Sequence, residues 1–140
     1  MSVITQGPSL PSFVKPMLAT SGTASDNDDY LFELKWDGMR MLAFLETRQY
    51  RLLNRHGIDA TARFPEFAFL ADLPPGTILD GEMVVLRAGQ PDFGLLQSRD
   101  KTRSPLKIRT LSQVERLVEV LILAQIVVGE VVSRGTGVRV

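Results

Sequence analysis

Phe32-Glu33-Leu34-Lys35-Trp36-Asp37-Gly38-Met39-Arg40 is the stretch from which the rest of the chain is read. An apolar, aromatic-flanked run, Tyr30-Leu31-Phe32, leads into Lys35, and Asp37-Gly38 follows. This is how a strand reads when it delivers a reactive side chain into a turn. A lysine between Leu34 and Trp36 is expected to be partly desolvated, which favours the neutral amine and makes it a usable nucleophile. Asp37 is placed to orient it or to hold a metal, and Gly38 permits a close approach that a side chain would block. A lone Asp-Gly pair is more often an ordinary turn. The full pattern K-x-D-G-x-R is rarer, arising by chance in roughly one chain of this size in a thousand.

Composition narrows the chemistry around that lysine. The chain has 140 residues, 44% hydrophobic and 23% charged, enough for one core of ordinary size. Sixteen basic and sixteen acidic residues cancel, so bulk charge leaves no footprint of a nucleic-acid binder and any DNA contact must come from a local patch. Cysteine is absent, which excludes disulfides, thiolate zinc sites and cysteine nucleophiles and fits a reducing cytoplasm. His56 is the single histidine, so a histidine metal cluster is excluded as well. The N-terminus lacks the basic start and apolar core of a signal peptide, and no run of residues is long and apolar enough to span a membrane.

Outward from Lys35, Val14-Lys15-Pro16-Met17-Leu18-Ala19 reads as a short apolar anchor pinned by a proline, and Ser21 to Asp29 as a polar surface loop. Met41 to Leu45 and Tyr50 to Leu53 are strand candidates, with the turn at Glu46 to Gln49. Asn54-Arg55-His56-Gly57 closes the second strand. Phe64, Phe67, Ala68 and Leu70 lie at helical spacing and predict an amphipathic helix over 61–73, stopped by Pro74-Pro75-Gly76. Thr77 to Val85 is a β-branched strand interrupted by Asp80 and Glu82, which costs burial energy unless the carboxylates are used. Gln90-Pro91-Asp92 predicts a turn, and Phe93-Gly94-Leu95-Leu96-Gln97-Ser98-Arg99 the start of a helix.

Together these segments resemble, in order, ATP-dependent DNA ligases, a superfamily that also contains RNA ligases and mRNA capping enzymes. Lys35 in K-x-D-G-x-R resembles the nucleotidyl-lysine motif. Pro16 to Ala19 resembles the P-M-L-A segment, Arg55 and Gly57 match the R-x-G segment, Leu79 to Glu82 the L-D-G-E motif, and Phe93 to Arg99 the F-x-x-L-Q-x-R helix start. The resemblance implies an α+β fold, the antiparallel-sheet, ATP-grasp-like nucleotidyltransferase (DNA ligase adenylation) domain, here incomplete. It implies ATP and Mg²⁺ as cofactors and nicked double-stranded DNA as partner, with Lys35 attacking the α-phosphate of ATP to form lysyl-AMP and release pyrophosphate. Glu33 would accept from the adenine amino group, Arg40 and Arg55 would neutralise ribose or phosphate oxygens, and Glu82 would contact ribose or hold the metal. The P-M-L-A, L-D-G-E-M-V and F-x-x-L-Q-x-R segments favour a DNA ligase over an RNA ligase or capping enzyme.

Beyond Arg99 the motifs stop. The family's downstream K-x-K strand cannot be present, because the last lysine is Lys107, and Glu130 in G-E-V-V has its glycine on the wrong side. Residues 102–109 are basic and read as a solvated linker. Ser112 and Glu115 fit a capping box ahead of a helix through Leu121, and Ile122 to Val132 reads as a buried strand. The expected organisation is therefore a lead-in over 1–29, a partial adenylation domain over 30–100 and a divergent tail over 101–140, as in a truncated or frame-shifted ligase. Two functions follow: a ligase fragment acting in repair or recombination, its site completed by a second chain or domain, or a non-catalytic remnant that binds nucleotide or a protein partner.

Overall fold

The computed structural model describes residues 9–18, 20–23, 35–114 and 118–128. Glu33 and the run that leads into Lys35 lie outside these residues, as do Glu115 and the glycine-rich end after Val128. Five strands form one antiparallel sheet: β1 (Met39–Glu46), β2 (Gln49–Asn54), β3 (Thr77–Arg87), β4 (Gln90–Pro91) and β5 (Val118–Val128). β1 is flanked by β2 and β3. β3 is central: residues 77–83 pair with β1, residues 86–87 with β4, and the whole strand with β5 along its other edge.

Strand alternation sorts the side chains onto two faces. One face carries Met41, Ala43, Leu45, Leu52, Met83 and Val85, which pack with Ala60, Phe64, Phe67, Leu70 and Leu96 into the main core. The other carries Leu42, Phe44 and Leu53, covered by Leu10, Phe13 and Val14 of the lead-in. Arg51 straps that segment down, donating from Nη1 to the Ser12 carbonyl at 2.9 Å and from Nη2 to the Pro11 carbonyl at 3.3 Å, with its guanidinium 4.8 Å from the centre of the Phe44 ring. The lead-in is thus the cover of the second face rather than a free arm.

The helix expected over 61–73 is instead a 3₁₀ turn (Thr61–Arg63) and a 3₁₀ helix (Pro65–Asp72). Phe64, with φ −130° and ψ 66°, separates them, consistent with the exclusion of the residue before proline from helical dihedrals. Its periodicity is the reason: Phe64, Phe67 and Leu70 recur every third residue and all are buried, while Ala68 and Phe69 face outward, the pattern of three residues per turn.

The turn placed at Gln90–Asp92 lies at Ala88-Gly89, both with positive φ (51° and 76°), as a tight hairpin requires. Gln90 and Pro91 form β4, and the Asp92 carboxylate caps α1 (Phe93–Lys101) by accepting from Leu95 N at 2.8 Å. On α1, Arg99 is 3% exposed and stacks 5.3 Å from the centre of the Phe64 ring. Its Nη2 lies 2.5 Å from Glu66 Oε1, yet neither Nη2 nor Glu66 Oε2 has a hydrogen-bond partner. The contact is therefore an ion pair by proximity with poor hydrogen-bond alignment.

The tail departs most from expectation. The basic stretch after Lys101 is not a linker throughout, because α2 (Pro105–Val114) starts at Pro105 behind Ser104, whose hydroxyl accepts from Lys107 N at 3.5 Å. Ser112 therefore sits in the last turn of α2, its hydroxyl donating to the Arg109 carbonyl, and is no helix start. Val118 begins a strand rather than continuing a helix, since its run of β-branched residues finds the open edge of β3.

The three-residue period has a direct test. Phe64→Ala should lower stability by about 3 to 5 kcal/mol, whereas Phe69→Ala, at a 58% exposed position, should change it by less than about 0.5 kcal/mol, both measured by urea unfolding.

Candidate functional site

Gly38 fixes how the Lys35 segment meets the sheet. A Cβ built on it would lie 2.3 Å from the Met83 carbonyl oxygen, 2.9 Å from Glu82 Cγ and 3.0 Å from Val84 Cγ2. Any side chain there would drive β3 away from β1, so the glycine is required by close approach. The lysine's segment is thereby seated beside Glu82. In the same ladder Arg40 lies directly opposite Glu82 and Leu42 opposite Asp80, so Arg40, Asp80 and Glu82 share the face away from the main core.

Arg40 is the organiser of that face. Its guanidinium grips the Asp80 carboxylate in a fork, Nε to Oδ1 at 2.6 Å and Nη2 to Oδ2 at 2.5 Å, with both side chains about one-fifth exposed (22% and 23%). Nη1 donates to the Met17 carbonyl at 3.2 Å. Its hydrogen bonds to the Asp80 carboxylate raise the Arg40 pKa above its ordinary value, opposed by burial and reinforced by the charges of Asp80 and Glu82. The Asp80 carboxylate thus holds Arg40, which ties β1, β3 and the lead-in together.

Lys35 is exposed. Trp36 beside it is partly buried, and Leu34 lies outside the described residues. Lys35, Trp36 and Asp37 line a cavity of about 320 Å³. Arg55 lies apart from it, in a second cavity of about 340 Å³ lined by Lys15, Pro16, Leu18, Arg55 and His56. Its turn is built by Asn54, whose Oδ1 accepts from His56 N at 2.9 Å and Ile58 N at 3.0 Å, and by Gly57 at φ +77° against the Phe13 ring. Arg55 Nε donates to His56 Nε2 at 3.0 Å.

The candidate residues thus fall into three places: Lys35 with Asp37, the Arg40–Asp80–Glu82 face, and the Arg55 cavity. All three lie toward the start of β1, because Asn54 at the end of β2 pairs with Met41 and Glu82 with Arg40. Lys15 and His56 are cavity residues that sequence reasoning left without a role; the signal was their position, one beside P-M-L-A and the other inside R-x-G.

Among the described residues no group of three or more His, Asp or Glu side chains is placed to hold a metal. A single carboxylate such as Glu82 fits Mg²⁺, which is commonly held by one or two carboxylates together with waters and substrate phosphates.

The sequence profile of the ATP dependent DNA ligase domain matches residues 15–124. The chain belongs to the ATP-dependent DNA ligase family. That match runs past Arg99, where the short motifs end. Among relatives of this ligase chain, the SPbeta prophage-derived DNA ligase-like protein LigB of Bacillus subtilis is 43% identical over 89 residues, covering 62% of this chain and 33% of the relative. The multifunctional non-homologous end joining DNA repair protein LigD of Mycobacterium tuberculosis is 41% identical over 91 residues, covering 61% of this chain and 12% of the relative. The fold is similar to that of mycobacterial DNA ligase D complexed with ATP and MES, with a TM-score of 0.59 and 33% identity over 81% of this chain and 34% of that one. The ligase domain of M. tuberculosis LigD gives a TM-score of 0.56 at 32% identity, covering 81% of this chain and 35% of that one. The ligase chain described here thus spans about a third of those structures.

The contact at Gly38 predicts that Gly38→Ala lowers stability by about 1 to 3 kcal/mol or more, since the obstructing atom is backbone. Gly22→Ala, where a Cβ would meet nothing within 4 Å, should stay within about 0.5 kcal/mol in the same denaturant titration.

Proposed function

We propose that this chain carries the nucleotide-binding strands of an ATP-dependent DNA ligase adenylation domain, acting in the joining of DNA nicks during repair or recombination. The observation that carries this is the seating of K-x-D-G-x-R on L-D-G-E, with Gly38 packed against Glu82 and Met83. Residues 30–100 carry the motifs of the adenylation part, residues 1–29 are the lead-in and residues 101–140 an extension that the domain profile enters as far as residue 124. The absence of cysteine fits a cytoplasmic setting, and no helix among the described residues is long and apolar enough to cross a membrane.

In this reading the Lys35 Nζ, once deprotonated, attacks the α-phosphorus of ATP. An N–P bond forms, the α–β bridging P–O bond breaks, and pyrophosphate leaves. Phosphoryl-type transfer depends mainly on positioning and charge neutralisation. Arg40, held charged and oriented by Asp80, presents positive potential beside the reacting phosphate, while Arg55 serves ribose or phosphate oxygens and Glu33 the adenine amino group. Glu82 serves the ribose or Mg²⁺, and the metal when bound supplies further neutralisation of the phosphate oxygens. Nicked duplex and ATP are the substrates, and a second domain or chain completes the site.

Two measurements check this. Incubation with ATP and Mg²⁺ followed by intact-mass analysis should show an AMP adduct that Lys35→Arg abolishes, because the guanidinium stays protonated; an undiminished adduct in that variant would remove Lys35 from the mechanism. The chain alone should not seal nicks. No lysine follows Lys107, and losing one preorganised charge contact typically costs about 3 to 4 kcal/mol, or two to three orders of magnitude in rate. Multiple-turnover sealing of a nicked duplex that disappears in Lys35→Ala would contradict that expectation.

A further inference from the structure

The two outer strands of the sheet, β2 and β5, are finished differently. Backbone groups alternate between the two sides of a strand. The Val85 carbonyl accepts from Asp92 N at 2.8 Å, so Val85 turns its backbone groups toward the β1 and β4 side. The even-numbered residues of β3 therefore turn theirs toward β5. The register runs unbroken from Thr77 opposite Val128 to Arg87 opposite Val118, which gives Leu121, Leu123 and Gln125 the bonds to β3. The amides and carbonyls of Val120, Ile122, Ala124 and Ile126 point away from it. Carried through β1 to β2, the same alternation sends out Leu52 and Asn54, and both are met by their own chain. Leu52 N donates to Thr61 Oγ1 at 2.9 Å and its carbonyl accepts from Ala60 N at 2.7 Å. Asn54 N donates to the Ile58 carbonyl at 3.0 Å, and its own carbonyl accepts from Gly57 N at 2.9 Å.

The β2 edge is thus closed, whereas among the described residues nothing pairs with the outer side of β5. This 11-residue strand also lacks the usual protections of an edge. It has no proline and no lysine, its ladder with β3 has no bulge, and apart from Glu119 and Gln125 every residue is apolar. The chain's formal net charge is zero, so copies approach without long-range repulsion.

We propose that the outer edge of β5 is an interface for a second copy of this chain, paired antiparallel about a two-fold axis at Leu123. Charge selects the direction. A parallel pair would set Glu119 beside its own copy, which is unfavourable, while the antiparallel pair sets it opposite Val127. Val120 then exchanges backbone bonds with Ile126, and Ile122 with Ala124, between copies. With β2 closed, each copy offers one edge, so assembly stops at two chains instead of running on as a fibre. A two-fold axis of this kind stands perpendicular to the sheet, so both Arg40–Asp80–Glu82 faces lie on the same side of the pair. The proposal is independent of any chemistry at Lys35.

The test is sedimentation velocity of the full chain over a wide range of concentration, joined to amide hydrogen exchange. The expected mass rises to twice the 15.5 kDa of one chain. The amides of Val120, Ile122, Ala124 and Ile126 should gain protection as concentration rises, while those of Leu121, Leu123 and Gln125 are protected throughout. Ala124→Pro removes one outward N–H, a substitution that edge strands accept on their free side, and should leave a monomer with an unchanged circular dichroism spectrum. If that variant fails to fold, the exchange pattern of the unaltered chain decides. A monomer at every concentration would overturn the proposal, as would association that runs past two copies, a dimer whose outward amides exchange freely, or a folded Ala124→Pro that still pairs. Outward amides protected equally at all concentrations in a monomer would also overturn it, assigning the edge to the chain's own residues after 128.

Discussion

The pairing of β1 with β3, in the register that sets Met39 against Met83 and Arg40 against Glu82, is the constraint on which the rest depends. Side chains alternate, so a slip of one residue would exchange the two faces of β1. Met41, Ala43 and Leu45 would leave the main core, and Arg40 would turn into it without Asp80. Hydrophobic burial on both faces therefore locks the register, and the register sets Asp80, Glu82 and the Lys35 segment beside one another. Stability and site geometry here are one specification.

Arginine does much of the tying in this small fold, but through different physics at each place. Arg40 relies on a planar fork that matches a carboxylate. Arg51 lies over an aromatic ring while reaching two carbonyls of the lead-in. Arg99 is enclosed between Phe64 and Glu66, where an unpaired charge would be costly.

What the sequence made legible was whatever strand alternation and short motifs encode. β1, β2, β3 and the start of α1 lie where alternation, β-branching and motif placed them, and Gly38 of K-x-D-G-x-R packs against Glu82 of L-D-G-E. What it hid were features decided by competition. Phe64, Phe67 and Leu70 satisfy a period of three as well as one of 3.6, and Pro65 tips the balance. Val118 to Leu121 suits a helix by spacing, yet the free edge of β3 offers a full ladder to a β-branched run. Ala88-Gly89 is a tight turn without the Asn or Asp that usually announces one. Asp80 meets Arg40 across a cross-strand diagonal, a pairing that only the register of β1 and β3 reveals. The cavity of Lys15 and Arg55 was invisible because it joins segments that only the folded sheet brings together.

The seating of Gly38 against Met83 has one further consequence. Lys35 is three residue steps from that anchor, so the backbone can carry it at most about 10 to 11 Å away, fully extended. The amine therefore works on a short leash. An exposed lysine is thereby a tethered group whose range is set by a residue that has no side chain at all.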